Sequence, residues 1–258
     1  MKTINIVKIG GHLINDAQLL SDFLKRFAAL PSPKLLVHGG GAAATELAKK
    51  LGVPVKMTQG RRITDKDTLA IITMVYAGGI NKNIVADLQK EGCNAMGLSG
   101  ADANSIEAVK RPVGAINFGY VGDIIKVNTR AIEALLASEI TPVFCAITHD
   151  KKGQLLNTNA DTIASELAIA LSGKFQVVLH YCFEKKGVLQ DLNDDESLIE
   201  HINSKLFKEL VDQNIISDGM LPKLTNCFHA LNNKVSAVHI GTSDMLFDMN
   251  AKYTTLEL

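Results

Sequence analysis

A chain of 258 residues has room for one large α/β domain or two modest ones, and 47% hydrophobic with 21% charged residues is the balance of an ordinary globular protein. Its 27 basic and 27 acidic residues cancel, so nothing points to a generic polyanion or membrane-surface binder; neither nucleic acid nor membrane is an expected partner, and any anion site must be built locally. The opening "MKTINIVKIGG" enters a strand without a signal peptide's apolar region, no apolar run approaches the roughly 18 residues that cross a bilayer, and Cys93, Cys145, Cys182 and Cys227 contain no CxxC pair. A reducing cytoplasm is therefore expected, with neither a disulfide framework nor a protein metal site.

Residues 3–9, "TINIVKI", read as a buried strand ended by Gly10-Gly11. From Asp16 the apolar residues Leu20, Phe23, Leu24 and Phe27 recur at helical spacing until Pro31 and Pro33 stop the helix. Strand 35–38, a three-glycine turn and helix 42–51 repeat the unit. Helix 66–91, strand 95–99, a hairpin over 105–127, helix 129–138, strand 142–147, helix 161–172 and strand 175–180 follow. After a break near Ser172-Gly173 come helix 204–213, a turn at Ser217-Asp218-Gly219, helix 222–232 and strand 235–240. Strands alternating with helices predict a mainly parallel sheet covered on both faces, with the ligand at the carboxyl ends of the strands.

Several stretches carry chemistry. In "KLLVHGGGAAATEL", residues 34–47, a strand turns through glycines into a helix, which aims backbone N–H groups and a helix dipole at one point and suits an anion. Gly39-x-Gly41-x-x-Ala44 also matches a dinucleotide fingerprint, but Asp65, the acidic residue about 20 positions on, lies beyond a loop just before a helix, and no Walker A motif occurs. Lys8 shares a strand face with Ile4 and Ile6; it either snorkels from a strand edge or completes an anion pocket between the two glycine turns. Asn157, Asn159 and Asp161 precede or open a helix, so at least one caps it, while alternation in an extended segment would aim all three at the cleft. Pro222 belongs in a first helical turn, placing Lys223 at the disfavoured positive end of a dipole. Arg61 or Arg62 stands where it could grip a substrate carboxylate, with a solvated loop arginine as the plainer reading. His38 reads as a packed or hydrogen-bonded residue rather than a ligand.

Taken together, "KIGG", "VHGGG", "RxTD…MVxAGxxNK", "NTNAD" and "SDGMxPK" resemble, in order and approximate spacing, the N-acetylglutamate kinases of the amino-acid kinase superfamily. The resemblance implies a three-layer αβα sandwich with a mainly parallel central sheet, in which an acylglutamate lobe (1–173) and a nucleotide lobe (174–258) share one sheet. It implies that Lys8 and Lys223 stabilise the transferring phosphoryl group and that Asp161 orients both. Gly40, Gly41, Arg62 and Asn157 match substrate binders, and Gly11, Gly187, Ile216 and Ser217 match phosphate or nucleotide contacts. The implied reaction is ATP-dependent, Mg²⁺-assisted phosphorylation of the γ-carboxylate of an N-acyl-L-glutamate in arginine or ornithine biosynthesis, by a homodimer.

Departures from the family pattern are local. "LHYCFEKKGVLQD" is longer than the usual "LSDVxGVL" and lacks its aspartate, and Met1 stands only seven residues before Lys8, so no arginine-driven hexamer is expected. Tyr76 replaces the usual leucine and Gly79 a larger residue, which makes N-succinylglutamate an alternative substrate. The rival functions are a kinase for another carboxylate, such as an acylated aminoadipate, and a non-catalytic sensor with the same fold.

Overall fold

The structure is a computed structural model and describes residues 1–58, 60–191, 193–216 and 220–258. In chain order the elements are β1 (Thr3–Ile9), α1 (Gly11–Asn15), α2 (Ala17–Ala28), β2 (Lys34–His38), α3 (Gly41–Lys50), β3 (Lys56–Thr58), β4 (Arg61–Ile63), α4 (Lys66–Thr73) and, after a π-helical segment Met74–Ile80, α5 (Asn81–Lys90). Next come β5 (Ala95–Leu98), β6 (Ile106–Lys110), β7 (Gly122–Val127), α6 (Thr129–Ala137), β8 (Thr141–Cys145), β9 (Ile147–His149), β10 (Leu155–Asn157) and α7 (Ala160–Leu171). The last stretch holds β11 (Gln176–Cys182), β12 (Val188–Leu189), β13 (Leu198–Ile199), β14 (His201–Asn203), α8 (Ser204–Asp212), α9 (Met220–Asn232), β15 (Ala237–Gly241) and β16 (Thr254–Glu257).

One eight-stranded sheet, in the order β14-β16-β15-β11-β1-β2-β8-β5, organises the molecule. Its pairings are parallel except β15 with β16, so the carboxyl ends of β1, β2 and β11 lie side by side. Every residue of β2 is buried, as expected of a parallel strand covered on both faces. Alternation sorts the apolar side chains into two cores. Ile4, Ile6, Leu35 and Val37 pack with Ile163, Ala164 and Leu167 of α7, whereas Val7, Ile9 and Leu36 pack with Phe23 and Phe27 of α2 and Ile84 and Leu88 of α5. Each fully buried Phe or Leu contributes about 1.5–3 kcal/mol, and this layering fixes the register on which the site depends.

Most of the predicted elements are present with their ends shifted by a residue or two. The 105–127 hairpin is β6 and β7, paired antiparallel with a register shift between Glu107 and Ala108. Three differences have physical causes. Strand 142–147 is interrupted at Ala146, after which β9 joins a separate four-stranded sheet with β10, β6 and β7. Helix 66–91 contains the π-helical segment, where one extra residue per turn is accommodated. That same helix, Lys66–Lys90, is by length and composition apolar enough to cross a bilayer, correcting the expectation of no such run. Its Leu69, Ile71, Ile72, Ile84 and Leu88 are buried within the two cores. The turn expected at Ser217-Asp218-Gly219 lies outside the described residues.

Candidate active site

Even-numbered residues of β1 face α7, so Lys8 emerges on that side at the carboxyl end of the strand. Its ammonium lies 2.7 Å from Asp161 Oδ1 in the first turn of α7. Lys223 Nζ, in the first turn of α9, lies 3.8 Å from Asp161 Oδ2, and all three side chains are largely shielded from solvent. Residues 153, 62 and 215 positions apart in pairwise terms thus form one cluster, assembled by β1, α7 and α9. Burial opposes ionisation of Asp161, but the Lys8 and then Lys223 charges outweigh it and hold the carboxyl below the ordinary range. Burial, and the like charge of Lys8, push Lys223 below an ordinary lysine, with Asp161 opposing the shift. Two cations share one anion, so the cluster carries an excess positive charge. Tyr181 supports it from β11 by donating a hydrogen bond to the Asp161 carbonyl at 3.0 Å, and the Phe183 ring lies 5.0 Å from the Lys223 ammonium.

The three Asx residues of 157–161 do not form one extended row. Asn159 caps α7, its side chain accepting from the Asp161 and Thr162 N–H groups, which turns the chain and leaves Asp161 helical. Asn157 ends β10 and donates to Thr64 Oγ1 at 3.0 Å. The alternation reading therefore fails because a cap intervenes, although Asp161 reaches the cluster by the helical route.

At the next strand over, the glycine-rich turn begins α3. Gly40 has φ 155° and ψ 20°, and a Cβ there would stand 2.4 Å from Ile80 Cδ1 and 2.9 Å from Tyr76 Cδ1. A side chain is excluded both by backbone conformation and by space. Gly39 faces the start of α7, where an added Cβ would touch Ala160 at 3.9 Å, so the turn borders the Asp161 cluster. Arg62 is only 8% exposed and donates to the Gly41 carbonyl at 3.0 Å and to Thr45 Oγ1 at 2.7 Å. Arg61, in contrast, is exposed, so of the two arginines it is Arg62 that the fold draws over α3.

Gly11 opens α1 beside the cluster, and a Cβ on neighbouring Gly10 would stand 3.6 Å from Lys8 Nζ. Of the expected nucleotide contacts, Gly187 and Ile216 are buried apart from the lysine cluster. Gly187 is buried, with its Cβ position 2.4 Å from Thr254 Oγ1, and Ile216 is 2% exposed in the core beside Leu210. Among the described residues no hydrogen bond or ion pair ties either to the lysine cluster; Ser217 lies outside those residues. Thr45 and Asn81, which the sequence does not single out, brace the turn and Arg62 together with Tyr76, which the sequence marks only as a departure in the acyl pocket. The "MVYAGGINK" block contained the signal, but only a π-helical register brings its members to one face.

Parallel strands whose carboxyl ends carry glycine turns, helix N-termini and two lysines around one aspartate make an arrangement suited to an anionic phosphoryl group. The Amino acid kinase family profile matches residues 3–242, and the chain belongs to that family. It is 52% identical over 250 residues to the acetylglutamate kinase of Cytophaga hutchinsonii, covering 96% of this chain and 95% of that one. It is 54% identical over 237 residues to the acetylglutamate kinase of Phocaeicola vulgatus, covering 92% of each. Among solved structures, a Streptococcus mutans protein superposes with a TM-score of 0.81 at 29% identity, covering 98% of both chains. The fold also matches N-acetylglutamate synthase of Neisseria gonorrhoeae, with a TM-score of 0.82 at 20% identity over all of this chain and 59% of the other.

Proposed function

We propose that this chain is an acetylglutamate kinase: it transfers the γ-phosphoryl group of ATP to the γ-carboxylate of N-acetyl-L-glutamate, a step of arginine biosynthesis. The single observation that carries the chemistry is the pair of buried lysines sharing Asp161, at 2.7 and 3.8 Å. A carboxylate oxygen forms the new bond to the γ-phosphorus while the bond from phosphorus to the β,γ-bridging oxygen breaks, and ADP leaves. The nucleophile is already ionised near neutral pH, so no general base is required. The reaction instead needs positive charge and N–H donors around the phosphoryl oxygens and two anionic reactants held in line.

In this reading Lys8 and Lys223 neutralise the transferring group, Asp161 fixes both ammonium groups, and the amides of Gly11, Gly40 and Gly41 face phosphate and acceptor. Arg62 and Asn157 bind the acylglutamate, and the Gly187 and Ile216-Ser217 segments serve the nucleotide. Residues 1–173 would then hold the acceptor and 174–258 the nucleotide. Among the described residues no group of three or more His, Cys, Asp or Glu is arranged to hold a metal ion, and both Asp161 oxygens face lysines. Mg²⁺ would accordingly arrive on the ATP phosphates, where it neutralises charge. A cytoplasmic homodimer completes the proposal.

The acyl group has a second reading with its own observation. Tyr76, which stands where the family resemblance expects leucine, packs against Gly40 beside the acceptor turn, and Gly79 stands where a larger residue is usual, so a longer succinyl group is the alternative. Trapping the acyl phosphate with hydroxylamine, with N-acetyl- and N-succinyl-L-glutamate as parallel acceptors, tests both readings. Hydroxamate from the acetyl substrate is expected, and a faster succinyl reaction would reassign the acyl group. No hydroxamate from either, with folded protein and Mg-ATP, would overturn the kinase in favour of a sensor or a different carboxylate substrate.

A further inference from the structure

His38 closes β2 and is fully buried on the sheet face opposite Lys8, the face covered by α5. Its Nδ1 lies 2.8 Å from the Gly39 carbonyl, and its Nε2 lies 3.0 Å from Asn81 Nδ2. A carbonyl can only accept and an amide NH₂ can only donate, so the ring carries its proton on Nδ1 and offers a lone pair at Nε2. Asn81 is oriented independently: Nδ2 also donates to the Val143 carbonyl at 3.0 Å, and Oδ1 accepts from Lys82 Nζ at 3.2 Å. Gly97 on β5 leaves room for that amide, since a Cβ there would stand 1.9 Å from Asn81 Oδ1.

The π-helical segment explains how Asn81 gets there. The Asn81 N–H bonds to the Tyr76 carbonyl, a five-residue step, and that extra residue places Tyr76 and Ile80 against Gly40 while Asn81 meets His38. An uninterrupted α-helix would turn Asn81 about 100° away from its present direction relative to Tyr76. In a trans peptide the C=O and the following N–H point in opposite directions. With the Gly39 carbonyl held toward α5, the Gly40 N–H points to the α7 side, where Lys8 and Asp161 stand.

We propose that His38 and Asn81 are positioning residues for phosphoryl transfer: through the Nδ1–H tautomer they hold the Gly39–Gly40 peptide so that the Gly40 N–H faces the reacting groups. This rests on the kinase reading above for its catalytic consequence, but the tautomer and the peptide orientation do not. Burial lowers the His38 pKa to about 4, with Lys82 adding to the effect and the Gly39 carbonyl opposing it, so the ring stays neutral at working pH. Cys145, opposite His38 on β8, is held protonated by burial, its pKa raised to about 12.

The test combines imidazole ¹⁵N NMR of the full chain with kinetics of four variants. His38 should show the Nδ1–H tautomer without titrating between about pH 5 and 8, given a pKa near 4. His38→Asn keeps an N–H at the Nδ1 position and should retain kcat within about threefold, while His38→Gln, closer in size but polar only at the far end, should lose about a hundredfold or more. Packing alone would reverse that ranking. Asn81→Ala should reduce kcat about tenfold or more with a smaller change in KM. Asn81→Asp replaces a donor by an acceptor, so the ring must be charged to satisfy both neighbours; its activity relative to wild type should fall as rising pH deprotonates His38. An Nε2–H tautomer, or His38→Gln as active as His38→Asn, would overturn the proposal. If wild-type protein makes no acyl phosphate, the kinase reading fails, and the tautomer with the Gly40 amide shift in His38→Asn and His38→Gln still decides the peptide orientation.

Discussion

Two glycine turns end neighbouring parallel strands, and they are glycine for different reasons. Gly10 has φ −104°, a conformation open to any residue, and an added Cβ would meet only the Lys8 ammonium at 3.6 Å and the Cys182 carbonyl at 3.7 Å. Gly40 has a backbone reserved for glycine and is wedged against Ile80 and Tyr76. A Cβ at the first turn would stand only against the Lys8 ammonium and the Cys182 carbonyl, whereas at the second the protein itself fills the space. A glycine motif therefore mixes two constraints that look alike as letters and separate only when neighbours are known.

Gly40→Ala should give the largest effect. Overpacking against Ile80 costs about 1–3 kcal/mol, visible as a lower midpoint in urea, and displacement of the turn should cut kcat/KM about a hundredfold. Retention of both would show that the wedge is loose and the comparison mistaken. Next, Arg62→Ala should raise KM for the acylglutamate about tenfold to a hundredfold, the worth of a charge-assisted hydrogen bond, while Arg61→Ala leaves it unchanged. Equal effects would mean that burial does not discriminate the pair.

Gly10→Ala should leave the urea midpoint within about 0.5 kcal/mol of wild type and lower kcat/KM about tenfold, the converse of Gly40. A stability loss as large as that of Gly40→Ala would erase the distinction between the turns. The mildest expectation concerns pH. Lys223 is charged below its pKa and neutral above it, and that pKa lies below the ordinary lysine value. The kcat/KM profile should therefore begin to fall on the alkaline side before an unperturbed lysine, near about 10.4, would titrate. A profile flat through that value would remove Lys223 from the transition state.

Much of this site was legible in the sequence because it follows from alternation and dipoles. The parity of Lys8 with Ile4 and Ile6 put it on the α7 face, and Pro222 marked the helix turn that carries Lys223. For Asp161 the capping half of the sequence reading holds at Asn159 and the alternation half does not, since the cap replaces an extended row with a helical turn. No local pattern separates Arg62 from Arg61; the family resemblance points to Arg62, and β4 with Thr45 supplies the physical reason, burying Arg62 over α3. The π-helical register was invisible for the same reason: "MVYAGGINK" is compatible with a regular helix, and only the contacts of Tyr76 with Gly40 and of Asn81 with His38 select the extra residue.

Under the proposed function, binding and transfer fall to different residues: Arg62 holds the acceptor, while Lys8 and the Gly40 N–H serve the phosphoryl group in flight. The most direct measurement is ³¹P NMR of Mg-ATP with N-acetyl-L-glutamate for wild type and Lys8→Met, paired with calorimetric affinities for the acceptor. Wild type should convert the γ-phosphate signal of ATP into an acyl phosphate signal. Lys8→Met should bind the acceptor within a few-fold of wild type and transfer about a hundredfold to a thousandfold more slowly. Transfer by Lys8→Met at the wild-type rate, or none by wild type, would contradict the account.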